Sequence, residues 1–192
     1  LFNVLSRIII FFLTPTENPY IIKGMKDATQ SLTIPQAMTD KNSIQIFRSK
    51  NEYDGIEFTY SFWIYVNDLV YNENTDLKHV FHKGSNKMSD SVLNGVYGPN
   101  NAPGVYLYTG KKNISDNLLD KFPILGMLIR MNVYHDQNDI DNPHRFFDDI
   151  FIDNIPIKKW VGVVIRLTGQ NIVDVYINGT LTKRHKLSNI VK

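Results

Sequence analysis

Between Asn171 and Leu187 the chain alternates with period two: Val173, Val175 and Ile177 are interleaved with Asp174 and Tyr176. Successive side chains of a strand point to opposite faces, so the three aliphatic residues share one face. The pattern breaks at Asn178-Gly179, a pair suited to the positive φ angles of a two-residue type I′ turn, and resumes from Thr180. A hairpin is predicted there. A second alternation puts Ile56, Phe58, Tyr60, Phe62, Ile64 and Val66 against Glu57, Thr59, Ser61, Trp63 and Tyr65. With aromatic residues on both faces, this strand is expected to be central, covered by a second sheet on one side and by loops on the other. Met127, Ile129, Met131 and Val133 alternate with Leu128, Arg130, Asn132 and Tyr134, and a further strand is predicted over Trp160–Leu167, followed by a turn at Thr168-Gly169-Gln170. Shorter strands are expected over 43–47, 78–83, 105–108 and 150–152, and polar excursions over 84–104, 111–123 and 135–149. No stretch after residue 13 carries an apolar stripe of period 3.6 over a full helix, and no repeat is present. The expected fold class is all-β, a two-sheet antiparallel sandwich or jelly roll.

The first thirteen residues, LFNVLSRIIIFFL, stand apart as a hydrophobic segment, and residues 14–42 are polar and punctuated by Pro15, Pro19 and Pro35, an expected linker or entry segment. The chain opens on Leu1 rather than Met, and it is expected to be a fragment of a longer product. Thirteen helical residues span roughly 20 Å, short of the ~30 Å hydrocarbon core of a bilayer. Arg7 argues against a span centred on it. No small-residue cleavage site follows, which argues against a signal peptide. Two readings stay open: the outgoing end of a membrane anchor, or a buried first strand built on the β-prone run Ile8 to Phe12.

FTYSFWIYV, HVFHKG, PGVYLY and IPIKKWVGVVIRLTGQNIVDVYINGTLTKRHKL occur in that order. Together they resemble the concanavalin A-like, laminin G-like jelly-roll family, with Ser61-Phe62-Trp63, Lys83-Gly84, Trp160 and Tyr176-Ile177-Asn178-Gly179 at the matching positions. The resemblance covers roughly residues 43–190 and defines an expected sandwich domain over 43–192. It departs from the family at its end, where such domains usually carry a further strand closing against the first. The resemblance implies two curved sheets and a binding surface, but no single function. The sequence holds 22 Ile and 20 Asn, pointing to an AT-rich coding genome. Laminin G-like domains with an N-terminal hydrophobic anchor are similar to structural proteins of large DNA viruses, which implies a minor capsid or virion-membrane role.

Composition narrows the chemistry. A formal net charge of +2 gives no reason to expect nucleic acid, and the one basic cluster, Lys183–Lys186, suits a solvated hairpin end. Without cysteine there is no disulfide framework, thiol nucleophile or Cys-based zinc site. The sequons at Asn113 and Asn178 carry little weight in an Asn-rich chain. Glucanases of the resembled superfamily place two carboxylates on one strand face, roughly 5 Å apart for retaining chemistry. This chain has four glutamates, Glu17, Glu52, Glu57 and Glu73, and none beyond, so a non-enzymatic protein is expected. No Gly-x-Ser-x-Gly elbow or His-Glu-x-x-His motif occurs. His79 and His82, three apart on a predicted strand, should face opposite ways. Asp136, Asp139 and Asp141 offer hard oxygen ligands for calcium, the one cofactor under consideration. A glycan site would need exposed aromatic platforms, for which Tyr97, Tyr106, Tyr108 and Tyr134 are candidates, whereas Trp63 and Trp160 are expected in the core. Two functional expectations follow. One is a binding or scaffolding sandwich, tethered through Leu1–Leu13 to a membrane or a larger assembly of proteins, at a virion or cell surface. The other is a secreted or surface lectin that recognises glycans, with or without calcium.

Overall fold

The computed structural model describes residues 2–14, 16–49, 56–68, 77–88, 97–98, 100–113, 121–134 and 147–191. The chain divides into two compact units, Leu1–Arg48 and Ser49–Lys192. In the first, α1 (Phe2–Leu13) is the one regular element among the described residues. The strand alternative for this segment is thereby corrected: a helix satisfies its backbone by local hydrogen bonds and needs no partner strand, which outweighs the β-propensity of Ile8–Ile10. Thr14 closes the last turn, its backbone N and its Oγ1 both donating to the Ile10 carbonyl at 2.8 and 2.7 Å. Residues 43–47 form no strand; Ile44 N instead donates to the Pro35 carbonyl at 3.0 Å.

The second unit is all-β. Its strands are β1 (Phe58–Tyr65), β2 (Lys78–Gly84), β3 (Lys87–Met88), β4 (Tyr97–Gly98), β5 (Asn101–Asn113), β6 (Lys121–Asn132), β7 (Phe147–Ile152), β8 (Trp160–Thr168), β9 (Ile172–Ile177) and β10 (Thr180–Lys186). They build two antiparallel four-stranded sheets, ordered β1-β8-β9-β10 and β2-β5-β6-β7, with β3 and β4 as a separate short pair. The hairpin at Asn178-Gly179 forms as predicted, with φ of 50° and 81°.

Three expectations change. β1 is an edge strand, paired to β8 alone among the described residues, and its outward residues Thr59, Ser61, Trp63 and Tyr65 are exposed. The excursion placed at 111–123 is ladder at both its ends, because β5 runs to Asn113 and β6 starts at Lys121, with Lys111 opposite Pro123. Backbone pairing propagates along a registered hairpin whatever the side chains, so polarity concealed it. The other two excursions are shortened: β3, β4 and the start of β5 lie within 84–104, and β7 begins at Phe147.

One core joins the sheets. Val161, Val163, Ile165 and Leu167 of β8 and Val173 and Val175 of β9 pack in one cluster with Val105, Met127, Ile129, Met131, Ile150 and Ile152 of the opposite sheet. The C-terminal segment closes the end of this core. Asp148 Oδ2 accepts from Ser188 N at 2.6 Å and Ser188 Oγ at 2.8 Å, and Val191 forms a bridge with Val133.

Ile165 is fully buried at the centre of this packing. Ile165→Ala is expected to destabilise the domain by about 2–5 kcal/mol, while Thr59→Ala on the outward face changes stability by less than about 0.5 kcal/mol. Urea unfolding of the two variants checks the assignment of faces.

Candidate functional site

Because the inner face of the β1-β8-β9-β10 sheet is committed to the core, strand pairing dictates what its outer face displays. The register aligns Tyr65 with Trp160, Trp63 with Gly162, Ser61 with Val164 and Tyr176, and Thr59 with Arg166 and Asp174. β10 adds Leu181 beside Tyr176 and Arg184 beside Asp174. The face is thus aromatic at one end and charged at the other.

Trp63, Tyr65 and Trp160 are 67%, 43% and 50% exposed, which corrects the expectation that the two tryptophans lie in the core. The alternation of β1 sends Phe58, Tyr60, Phe62 and Ile64 inward, leaving position 63 on the solvent side. The rings are held from beneath. Trp63 lies across β8, and a Cβ at position 162 would sit 3.3–3.4 Å from three atoms of its six-membered ring, so glycine there lets the indole lie low on the sheet. Gly162 is itself clamped by the hairpin turn: Asn178 N donates to the Gly162 carbonyl at 2.8 Å, and Gly162 N donates to Asn178 Oδ1 at 2.9 Å. Tyr65 and Trp160 pack with ring centroids 5.4 Å apart at 54°. At the charged end, Arg184 Nε and Nη2 donate to the two oxygens of Asp174 at 2.6 and 2.9 Å. This bidentate hydrogen bond, with the charges of Arg184 and Arg166, holds the Asp174 carboxyl below the usual carboxylate range.

The outer face of the other sheet is closed by comparison. Tyr106 and Leu128 are fully buried, and Arg130 is buried with a bidentate pair to Asp149 at 2.7 and 2.6 Å and Cζ 3.7 Å from the centre of the Phe147 ring. Asn101 N donates to Asn132 Oδ1 at 2.7 Å. These groups form a satisfied polar layer.

His79 and His82 meet, contrary to expectation, with His82 Nδ1 2.8 Å from His79 Nε2. A register shift between His79 and Phe81 inserts one extra residue, and such a bulge turns an i, i+3 pair onto one face. Desolvation of the ring, which packs against Tyr106, pushes His79 down to about 4, with charge repulsion from His82 as the lesser cause. His82 is lowered too, chiefly by desolvation.

The tyrosines singled out from sequence do not gather. Tyr97 lies in β4 opposite Met88. Tyr106 is wholly enclosed, so it offers no exposed platform. Tyr108 is half-buried; its hydroxyl donates to Asp153, its ring lies over Gly126, and it meets Phe151 edge-on at 5.6 Å. Tyr134 is exposed beyond the end of β6, its backbone N donating to the Ile190 carbonyl at 3.0 Å. Asp136, Asp139 and Asp141 lie outside the described residues, and among the described ones no group of three or more His, Cys, Asp or Glu is placed to hold a metal ion. No family model, curated protein or solved structure matches the chain.

Two outcomes are expected. Trp63→Ala should cost less than about 1 kcal/mol in urea unfolding, against the roughly 3–5 kcal/mol of an emptied core site. The histidine pair makes stability fall on acidification. Between pH 6.5 and about 4 the unfolded chain takes up protons that folded His79 refuses, so its contribution is present above that window and lost within it. Urea midpoints across this range should fall less steeply in His79→Gln; an unchanged slope would remove the pair from the account.

Proposed function

We propose that the chain is a non-enzymatic binding or scaffolding module, a laminin G-like jelly roll tethered through its N-terminal hydrophobic helix to a membrane or a larger protein assembly. The observation that carries the reading is the solvent exposure of the apolar side chains of α1. Ile8, Ile9 and Ile10 are all exposed, and Phe11, Phe12 and Leu13 are each more than three-quarters exposed. Burying such side chains is worth about 1.5–3 kcal/mol apiece, so a helix of this kind gains strongly from a lipid or protein surface. α1 has 12 residues, and no helix among the described residues is long and apolar enough to cross a membrane. Asn3, Ser6 and Arg7 gather the polar groups of α1 toward one side, an arrangement suited to lying along an interface with Arg7 at the headgroups.

The scaffold half of the reading draws on the apolar two-sheet core and on a glutamate set that ends at Glu73, which leaves no glutamate pair of the glucanase kind on the later strands. A virion surface, with a minor capsid or virion-membrane role, is the specific form favoured by the resemblance of the strand motifs. The lectin alternative draws on a different observation, the aromatic outer face of the sandwich.

Membrane partition tests the tether. The full chain is expected to stay in the pellet after a carbonate wash, and a version lacking residues 1–13 to pass into the supernatant. Equal partition of the two would overturn the membrane tether and leave a protein assembly as the partner of α1.

A further inference from the structure

We propose that the outer face of the β1-β8-β9-β10 sheet is a binding site for an acidic polysaccharide, with Trp63, Tyr65 and Trp160 stacking on sugar rings and Arg166 pairing with carboxylate or sulfate groups. This deepens the lectin alternative and rests on it, while leaving the tether independent.

The aromatic end supplies the stacking surface. One face of a pyranose ring presents C–H groups, which pack on an aromatic ring and prefer its electron-rich face. Three large aromatic side chains stand at neighbouring positions on one solvent-facing surface, where a folded chain gains nothing by exposing them. They are also fixed before any ligand arrives, Trp63 low over the clamped Gly162 and Tyr65 against Trp160, so little side-chain freedom is lost on binding. A ring lying across its neighbouring strand suits stacking better than insertion into a bilayer, for which it would stand clear of the sheet.

Charge chooses the class of sugar. On the same face Asp174 is already matched by Arg184, and Glu57 Oε1 accepts from Gly169 N at 2.6 Å. Arg166 is exposed beside that matched pair, and Lys186 lies in register with Ile172 one row beyond. Arg166, Arg184 and Lys186 against Asp174 and Glu57 leave an excess of one positive charge, which complements an anion, and a guanidinium forks onto carboxylate or sulfate oxygens. Ser61 and Tyr176 place hydroxyls between the two ends. Trp63 lies four residue steps along β1 from Thr59, the row of Arg166, a distance of about 14 Å at 3.4 Å per residue. That length accommodates several linked sugars, which favours a chain over a monosaccharide. The polar row between rings and arginine also suits a sugar chain better than the aliphatic anchors of a protein partner.

The test uses the full chain and four probes: a heparin dodecasaccharide, an oligogalacturonate of similar length, neutral cellohexaose, and phosphatidylcholine–phosphatidylserine vesicles. Titration calorimetry is expected to show binding of at least one acidic oligosaccharide, more tightly than cellohexaose. Replacing Trp63 and Trp160 together by Ala should weaken it about tenfold or more, the equivalent of about 1.4 kcal/mol. Arg166→Ala should weaken it several-fold and flatten its dependence on salt. Trp63→Phe, which keeps a ring, should retain most of the affinity, and far-UV circular dichroism identifies any variant that fails to fold. The proposal is overturned by absence of binding to both acidic probes, by preference for cellohexaose, or by acidic binding that survives loss of both tryptophans. Vesicle binding that depends on the tryptophans, without oligosaccharide binding, would make this face a lipid contact instead. Loss of the glycan result alone leaves the carbonate-wash result for residues 1–13 standing, so the two readings fail separately.

Discussion

The packing of two apolar sheet faces against each other is the constraint on which the rest of the domain depends. Val161, Val163, Ile165 and Leu167 sit on the inward side of β8, between β1 and β9, and share one apolar cluster with the inward residues of β5, β6 and β7. A slip of one residue in any of these strands would turn its aliphatic set to water and its polar set inward, so the register is held firmly. The outer faces are a consequence of that register. Trp63 faces solvent because Phe62 and Ile64 do not, and Arg166 because Ile165 and Leu167 do not.

The Asn178-Gly179 turn links this packing to the proposed binding surface. It connects β9 to β10, and through two hydrogen bonds it also fixes the one glycine over which Trp63 lies. Fold and site therefore share a local element. The opposite sheet spends its outer face differently, with Arg130–Asp149 and Asn101–Asn132 joined in a buried, paired layer. Buried charges of this kind are tolerated when fully paired and are costly when a partner is lost, which gives that face a structural role.

Much of this was legible in the sequence wherever alternation is strict. The hairpin at Asn178-Gly179, the strands at β1, β6 and β8 and the all-β class all follow from period-two patterning and turn chemistry. The same alternation placed Trp63 with Thr59 and Ser61, yet residue type assigned it to the core; the face was the better guide than the side chain's size. Neighbouring strands were not legible, so β1 was expected to be central rather than at an edge. Nor was the bulge that joins His79 to His82, because an inserted residue leaves no mark on composition. Tyr106 fits an exposed platform by type and is enclosed by its position in the middle of its sheet.

The central claim is that the sandwich closes with its tryptophans outside. The chain has two, Trp63 and Trp160, so its indole fluorescence reports on this face alone. Acrylamide quenching of the folded protein measures that exposure directly. The account predicts red-shifted emission and acrylamide quenching of both residues in the folded protein. Blue-shifted emission that resists acrylamide in the native state, and becomes accessible only on unfolding, would contradict it.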